Sequence, residues 1–183
     1  MYIMLFWKKN VKKKYETLMK ESQKAKSMVA GMEPCDPPLV LRGVNVESIV
    51  RVFESPVIPA MIMRAYDSLS KYWCHGELGR MVLEDLERAS KAGVLDKLLP
   101  AYLVALYDIC DEYRQYRKEP ICISLKQIHM DIKNLFTLVV SSSRVNPLRY
   151  GKLKKEIERL VRKDRNKLHK MYDEYENIMK QVK

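Results

Sequence analysis

From Pro147 to Lys183 the chain has no further proline, and its apolar residues recur mainly in steps of three and four, at Leu153, Ile157, Leu160, Val161, Leu168, Met171, Tyr175, Ile178 and Val182. That spacing places them on one face of an α-helix. Asn146 and Pro147 read as its N-cap and first residue. A helix this long with one apolar stripe needs a partner for the stripe. Asp164 interrupts the seam between Leu160 and Leu168, so the heptad pattern is imperfect. The partner is either the rest of the same chain or a second copy. Leu153, Ile157, Leu160, Leu168, Met171, Tyr175 and Ile178 are therefore the candidate interface of a homo-oligomer or another protein partner.

The remaining segments read as shorter helices. The chain has only 6 glycines among 183 residues, and Leu, Met, Lys, Glu and Ala fill long windows without breakers, so sheet is not expected. A basic helix spans Val11 to about Ala30, and the proline-rich Glu33–Pro38 stretch marks a hinge. Asn45 suits the N-cap of a short helix with Val46, Ile49, Val50 and Phe53 on one side, ended by Pro56 and Pro59. Next come a helix from about Ala60 with the stripe Met61, Ala65, Leu69, Trp73, and one from about Glu77 with Leu78, Met81, Val82, Leu86 and Ala89, stopped by Gly93. Pro100 is expected in the first turn of a helix bearing Leu103, Leu106, Ile109, Cys110 and Tyr113. Ser124 and Gln127 fit a capping box ahead of Leu125, Ile128, Ile132, Leu135, Phe136 and Val139, and Ser141–Ser143 form a loop. The fold class is all-α: a helical core of short antiparallel helices with a basic N-terminal helix and a long basic C-terminal helix. The expected divisions are a basic arm and hinge over 1–38, a core over 39–147 and the long helix over 148–183.

Charge follows the same division. Residues 1–30 hold eight Lys against two Glu (8 − 2 = +6), and residues 148–183 hold twelve Lys and Arg against six Asp and Glu (12 − 6 = +6), within a total of +11. The middle is left at −1. Cationic ends on a neutral centre suit a nucleic-acid partner, because phosphate neutralisation releases counterions whatever the base sequence. The candidate phosphate contacts are Lys12, Lys13, Lys20 and Lys24 in the first helix and Lys152, Lys155, Arg159, Arg162, Lys163 and Lys170 in the last, with Tyr15, Tyr150 and Tyr172 interleaved. A solvated lysine-rich surface is the plainer explanation of the same residues.

Enzyme chemistry finds no foothold. His75, His129 and His169 have no metal-ligand spacing to one another or to a cysteine, and no phosphate loop, dinucleotide fingerprint or nucleophile elbow is present. No cofactor and no small-molecule substrate are expected. The carboxylates Glu84, Asp85 and Glu87, and Asp108, Asp111 and Glu112, have arginines at ion-pairing distance along their helices. Cys35, Cys74, Cys110 and Cys122 lack a CxxC pair and read as reduced thiols of a cytoplasmic protein. Met1–Trp7 is too short to span a bilayer, although with the lysines behind it a membrane-surface role is a third possibility.

Ala89 and Gly93 have the small-residue and turn-glycine spacing of a helix-turn-helix. Together with Trp73 closing the preceding helix, the LEDLERASKAGVL run containing Leu86, Gly93, Val94 and Leu95, the following helix with Leu106, Tyr107, Cys110, Tyr113 and Tyr116, and the Asn146–Pro147 start of a basic helix, this order resembles the phage small terminase subunits over some 75 residues. The resemblance implies a non-enzymatic DNA-recognition component of viral genome packaging. It would assemble as a ring, bind DNA in the host cytoplasm and hand it to a large terminase subunit. A helical protein–protein interaction scaffold with no direct nucleic-acid role is the alternative.

Overall fold

The computed structural model describes residues 13, 16–17, 19–21, 23–126 and 146–181. Met1–Trp7, Lys12, Tyr15, Gln127, the stripe from Ile128 to Val139 with His129, the serine loop, the Tyr150 side chain and Val182 lie outside the described residues. Among those described the structure is all-helical, with no strand. Its helices are α1 (23–29), α2 (Val46–Val50), α3 (Val57–Tyr72), α4 (Glu77–Lys91), α5 (Leu95–Glu112), α6 (120–126) and α7 (Pro147–Gln181). Short 3-10 turns occur at Leu39–Leu41 and Arg114–Tyr116.

Helix α5 lies at the centre. Leu98, Leu99, Leu103 and Leu106 are fully buried, with Pro100, Ala101, Val104, Tyr107 and Cys110 nearly so, which removes water from almost every side of it. Helices α2, α3, α4 and α7 all pack against it. Ile58, Ile62, Ala65 and Leu69 of α3 and Val82, Leu86 and Ala89 of α4 complete the core. Each large aliphatic side chain so buried contributes about 1.5–3 kcal/mol through lost contact with water.

Local punctuation follows the residues. The Asn45 side chain accepts from Ser48 N at 3.1 Å and caps α2, and Asn146 accepts from Leu148 N at 2.9 Å at the start of α7. Gly93 has φ +73°, a left-handed conformation that costs glycine little. Gly93 N bonds Ser90 O and Val94 N bonds Ala89 O, both at 3.0 Å, closing α4 with a Schellman motif.

Several expectations are corrected. Pro59 does not end a helix; it sits in the first turn of α3, which starts at Val57 and where its missing N–H costs nothing. Pro100 is not in a first turn: Leu95 already opens α5, and Pro100 is buried within it. Ser124 is inside α6 and not its cap, and its Oγ meets Ser68 Oγ at 2.7 Å in a buried contact between α6 and α3. Met81 is 45% exposed and stands apart from its expected stripe.

The cysteines are not reduced. Cys35 bonds Cys74 and Cys110 bonds Cys122. Sequence spacing hid both pairs because each joins different elements, brought together with Cα atoms 6.1 and 5.3 Å apart, inside the range a disulfide spans. The expected hinge at Glu33–Pro38 is held to the end of α3 through Cys35 and Asp36: Cys35 N donates to Lys71 O at 2.7 Å and Trp73 Nε1 to Asp36 O at 2.8 Å.

Candidate nucleic-acid interface

Helix α7 has two faces with different tasks. Its inner face bears Leu168, 6% exposed, with Val161, Met171, Tyr175 and Ile178 packed on the core made by α3, α4 and α5. These residues are therefore part of the chain's own core. This corrects the reading of Leu168, Met171, Tyr175 and Ile178 as an intermolecular seam. Ile157 and Leu160 are half-buried, and Leu153 is 49% exposed.

Asp164 is not a flaw in that seam. It is fully buried, and its carboxylate accepts from Glu54 N at 2.9 Å and Ser55 N at 2.8 Å, in the turn leading into α3. Two backbone donors satisfy a charge that burial would otherwise penalise heavily. Ser55 Oγ in turn accepts from Ile58 N at 3.2 Å, so the same turn also caps α3. Beside it Lys163 meets Glu54 at 2.7 Å, Lys167 lies 3.7 Å from the same carboxylate, and Lys167 Nζ donates to Val52 O at 2.8 Å. The Lys163 hydrogen bond is the main reason the Glu54 carboxyl is held below its ordinary range. Lys163, with its side chain 52% exposed, thus reaches from α7 to an acidic partner on the core.

Farther along, Tyr102 of α5 donates to Asp85 Oδ2 at 2.5 Å, and Arg88 pairs with the other oxygen of that carboxylate. Burial, reinforced by this hydrogen bond, raises the Tyr102 pKa far above that of a free phenol. Tyr172 and Tyr175, whose ring centroids are 6.3 Å apart, feel the same Asp85 charge. Among the described residues Asp85–Arg88 is the single ion pair formed on α4. Asp108, Asp111 and Glu112 form none, so the expected ion-pair explanation of those carboxylates is corrected for α5.

The outer face of α7 is cationic. At about 100° of rotation per residue, Lys152, Lys155, Arg159, Arg162 and Lys170 fall within an arc of about 80°, centred roughly 160° from the buried Asp164. All five are exposed. From Lys152 to Lys170 the row runs for about 27 Å at 1.5 Å per residue. Arg159 is paired with Glu156 at 2.6 Å, whereas Lys152, Lys155, Arg162 and Lys170 have no ion pair among the described residues. The hydrogen bond from Arg159 lowers the Glu156 pKa.

Lys13, Lys20 and Lys24 are likewise exposed and without ion pairs. Ala25 and Val29 seat their segment on Ile123, with Tyr72 of α3 packed against them. Lys12 lies outside the described residues. The Ala89–Gly93 turn does form, but α5, the helix after it, is buried on nearly all sides and cannot enter a groove. No helix among the described residues is long and apolar enough to cross a membrane. No family model, curated protein or solved structure matches the chain.

Proposed function

We propose that the protein is a nucleic-acid-binding protein and not an enzyme, and that it grips the DNA backbone through the outward face of α7. The supporting observation is a row of exposed cations on a helix whose opposite face is locked to the core by Asp164 and Leu168. A rigid platform holds its lysines and arginines at fixed spacing, so less of the electrostatic gain is lost to ordering the site on binding. Contacts of this kind set affinity and register without reading bases. Lys13, Lys20 and Lys24 supply a second cationic patch. The resemblance to small terminase subunits gives the proposal its sharpest form, a DNA-recognition part of a viral packaging machine. In that form backbone contacts from α7 take the place of groove reading by α5.

The test is a salt titration of binding to duplex DNA. Four unpaired cations and Arg159 predict a slope of log K against log salt of about −4.5, at about −0.9 per neutralised phosphate. Charge reversal at Lys155 and Arg162 should flatten the slope by about 2 and weaken all duplex sequences alike. Lys97→Glu, an exposed site on α5, should change little. No binding at physiological salt would overturn the proposal in favour of a protein-interaction scaffold, and a change in sequence preference alone would overturn the backbone-contact assignment.

A further inference from the structure

The extended segment at 33–36 and the turn between α3 and α4 bring three metal-ligand side chains together. Cys35, Cys74 and His75 each offer one donor atom, and these atoms all lie within 4.8 Å of one another. Both cysteines are half-buried and His75 is exposed. In the structure the two sulfurs are joined. Their surroundings are arranged as for metal ligands. Cys74 N donates to Cys35 Sγ at 3.1 Å, the kind of bond that stabilises a thiolate. His75 Nε2 is 2.6 Å from Glu33 O; the tautomer that donates there leaves the lone pair on Nδ1, and a backbone carbonyl is a usual outer partner of a ligating imidazole.

We propose that Cys35, Cys74 and His75 form a thiol–disulfide-gated site for a zinc-type divalent cation. In the oxidised state the sulfur–sulfur bond removes both anionic ligands and the site is closed. A dithiol reductant opens it: two electrons and two protons pass to Cys35 and Cys74, and the reductant leaves as its own disulfide. The cation then displaces the two thiol protons and binds two thiolates and the neutral imidazole. Water takes the fourth tetrahedral position. Thiolate with imidazole selects zinc-type ions over magnesium or calcium. Either state ties residues 33–36, and with them the basic arm, to the same turn. Cys110–Cys122 is an internal comparison, because among the described residues no histidine or carboxylate completes a three-donor group with it. The inference does not depend on DNA binding.

Cobalt(II) added to the full chain after anaerobic reduction and removal of the reductant reports the site. One ion per chain, with thiolate charge-transfer bands and the strong visible bands of a tetrahedral complex, is expected from the reduced protein and none from the oxidised. Cys35→Ser and Cys74→Ser should abolish the bands, His75→Ala should weaken binding at least about tenfold, and the Cys110→Ser/Cys122→Ser double variant should retain it. Absence of bands in the reduced wild type, or their survival in Cys35→Ser, would overturn the inference. A measurement free of substitutions stands beside it: Zn2+ should raise the Tm of the reduced wild type and not of the oxidised protein, and an equal response of the two would also overturn it.

Discussion

Replacing Asp164 with alanine isolates what holds α7 to the core. The carboxylate makes two charge-assisted hydrogen bonds to backbone N–H groups, at 2.9 and 2.8 Å, each worth about 1.5–3 kcal/mol. Its loss leaves the buried Ser55 N–H and the part-buried Glu54 N–H without an acceptor, while relieving the cost of keeping a charge out of water. The balance is a loss of about 2–5 kcal/mol. For a chain of 183 residues that is a fall of roughly 4–20 °C in Tm, at about 2–4 °C per kcal/mol. Thermal unfolding followed by circular dichroism reads the shift, and urea titration should show a lower midpoint at unchanged slope. Hydrogen exchange should quicken at the Glu54 and Ser55 amides before elsewhere. Asp164→Asn, which keeps one acceptor oxygen but turns an NH2 towards the other donor, should fall between the alanine variant and wild type. A Tm within 2 °C of wild type for Asp164→Ala would refute the reasoning, since the apolar face alone would then hold the helix.

Three further outcomes follow from the geometry. Gly79→Ala should destabilise by about 1–3 kcal/mol, despite alanine's better helix propensity, because a methyl there would stand 2.6 Å from Trp73 Cα and closer still to its carbonyl oxygen; a Tm equal to or above wild type would contradict the close approach. Glu119→Ala should cost about 1–2 kcal/mol, because Glu119 accepts from Glu77 N at 3.2 Å and Leu78 N at 2.9 Å and caps α4 in place of Gly76, which has no side chain to do so; chemical denaturation measures it. Stability should also fall as pH rises above about 10: unfolded Tyr102 ionises near the ordinary phenol value of about 10, while the folded residue, raised by burial and by its bond to Asp85, keeps its proton, so the unfolded state binds fewer protons there. Tyr102→Phe should lessen that alkaline loss, and an unchanged alkaline profile would count against the Tyr102–Asp85 contact.

The parts of the fold visible in the sequence were those fixed by local rules. Asn45 and Asn146 cap because their side chains reach a backbone N–H two or three residues on, and Gly93 ends α4 because a left-handed residue is needed at that point. Asp164 was misread because its partners lie 109 and 110 residues away, at Ser55 and Glu54, and no periodicity links them. A charged residue set in an otherwise apolar stripe was the one available signal, and burial turns that signal from an interruption into an anchor. Cys35 and Cys74 were equally out of reach, since 39 residues and a complete helix separate them. The cations of α7 were legible as residues, but their division between docking and exposure depends on Glu54, which no helical spacing connects to Lys163.

That division bears on whether the positive charge of α7 is incidental. A merely solvated basic helix intersperses its carboxylates among its lysines, where i to i+4 pairs add a few tenths of a kcal/mol each. In α7 Glu156, Glu158 and Glu176 follow that pattern, and Asp164 departs from it. Asp164 is turned into the core, while Glu156 and Glu158 flank the cationic arc and engage Arg159 and Lys154. Glu176 pairs with Lys180, beyond the end of the row at Lys170. Lys163 and Lys167, at the border between helix and core, are answered by Glu54. Between Lys152 and Lys170 the exposed carboxylates are Glu156 and Glu158, at the two edges of the arc, so Lys152, Lys155, Arg162 and Lys170 are the arc cations without an ion pair among the described residues. Self-repulsion along that row is a standing cost to the free protein, and a polyanion laid along it would relieve that cost.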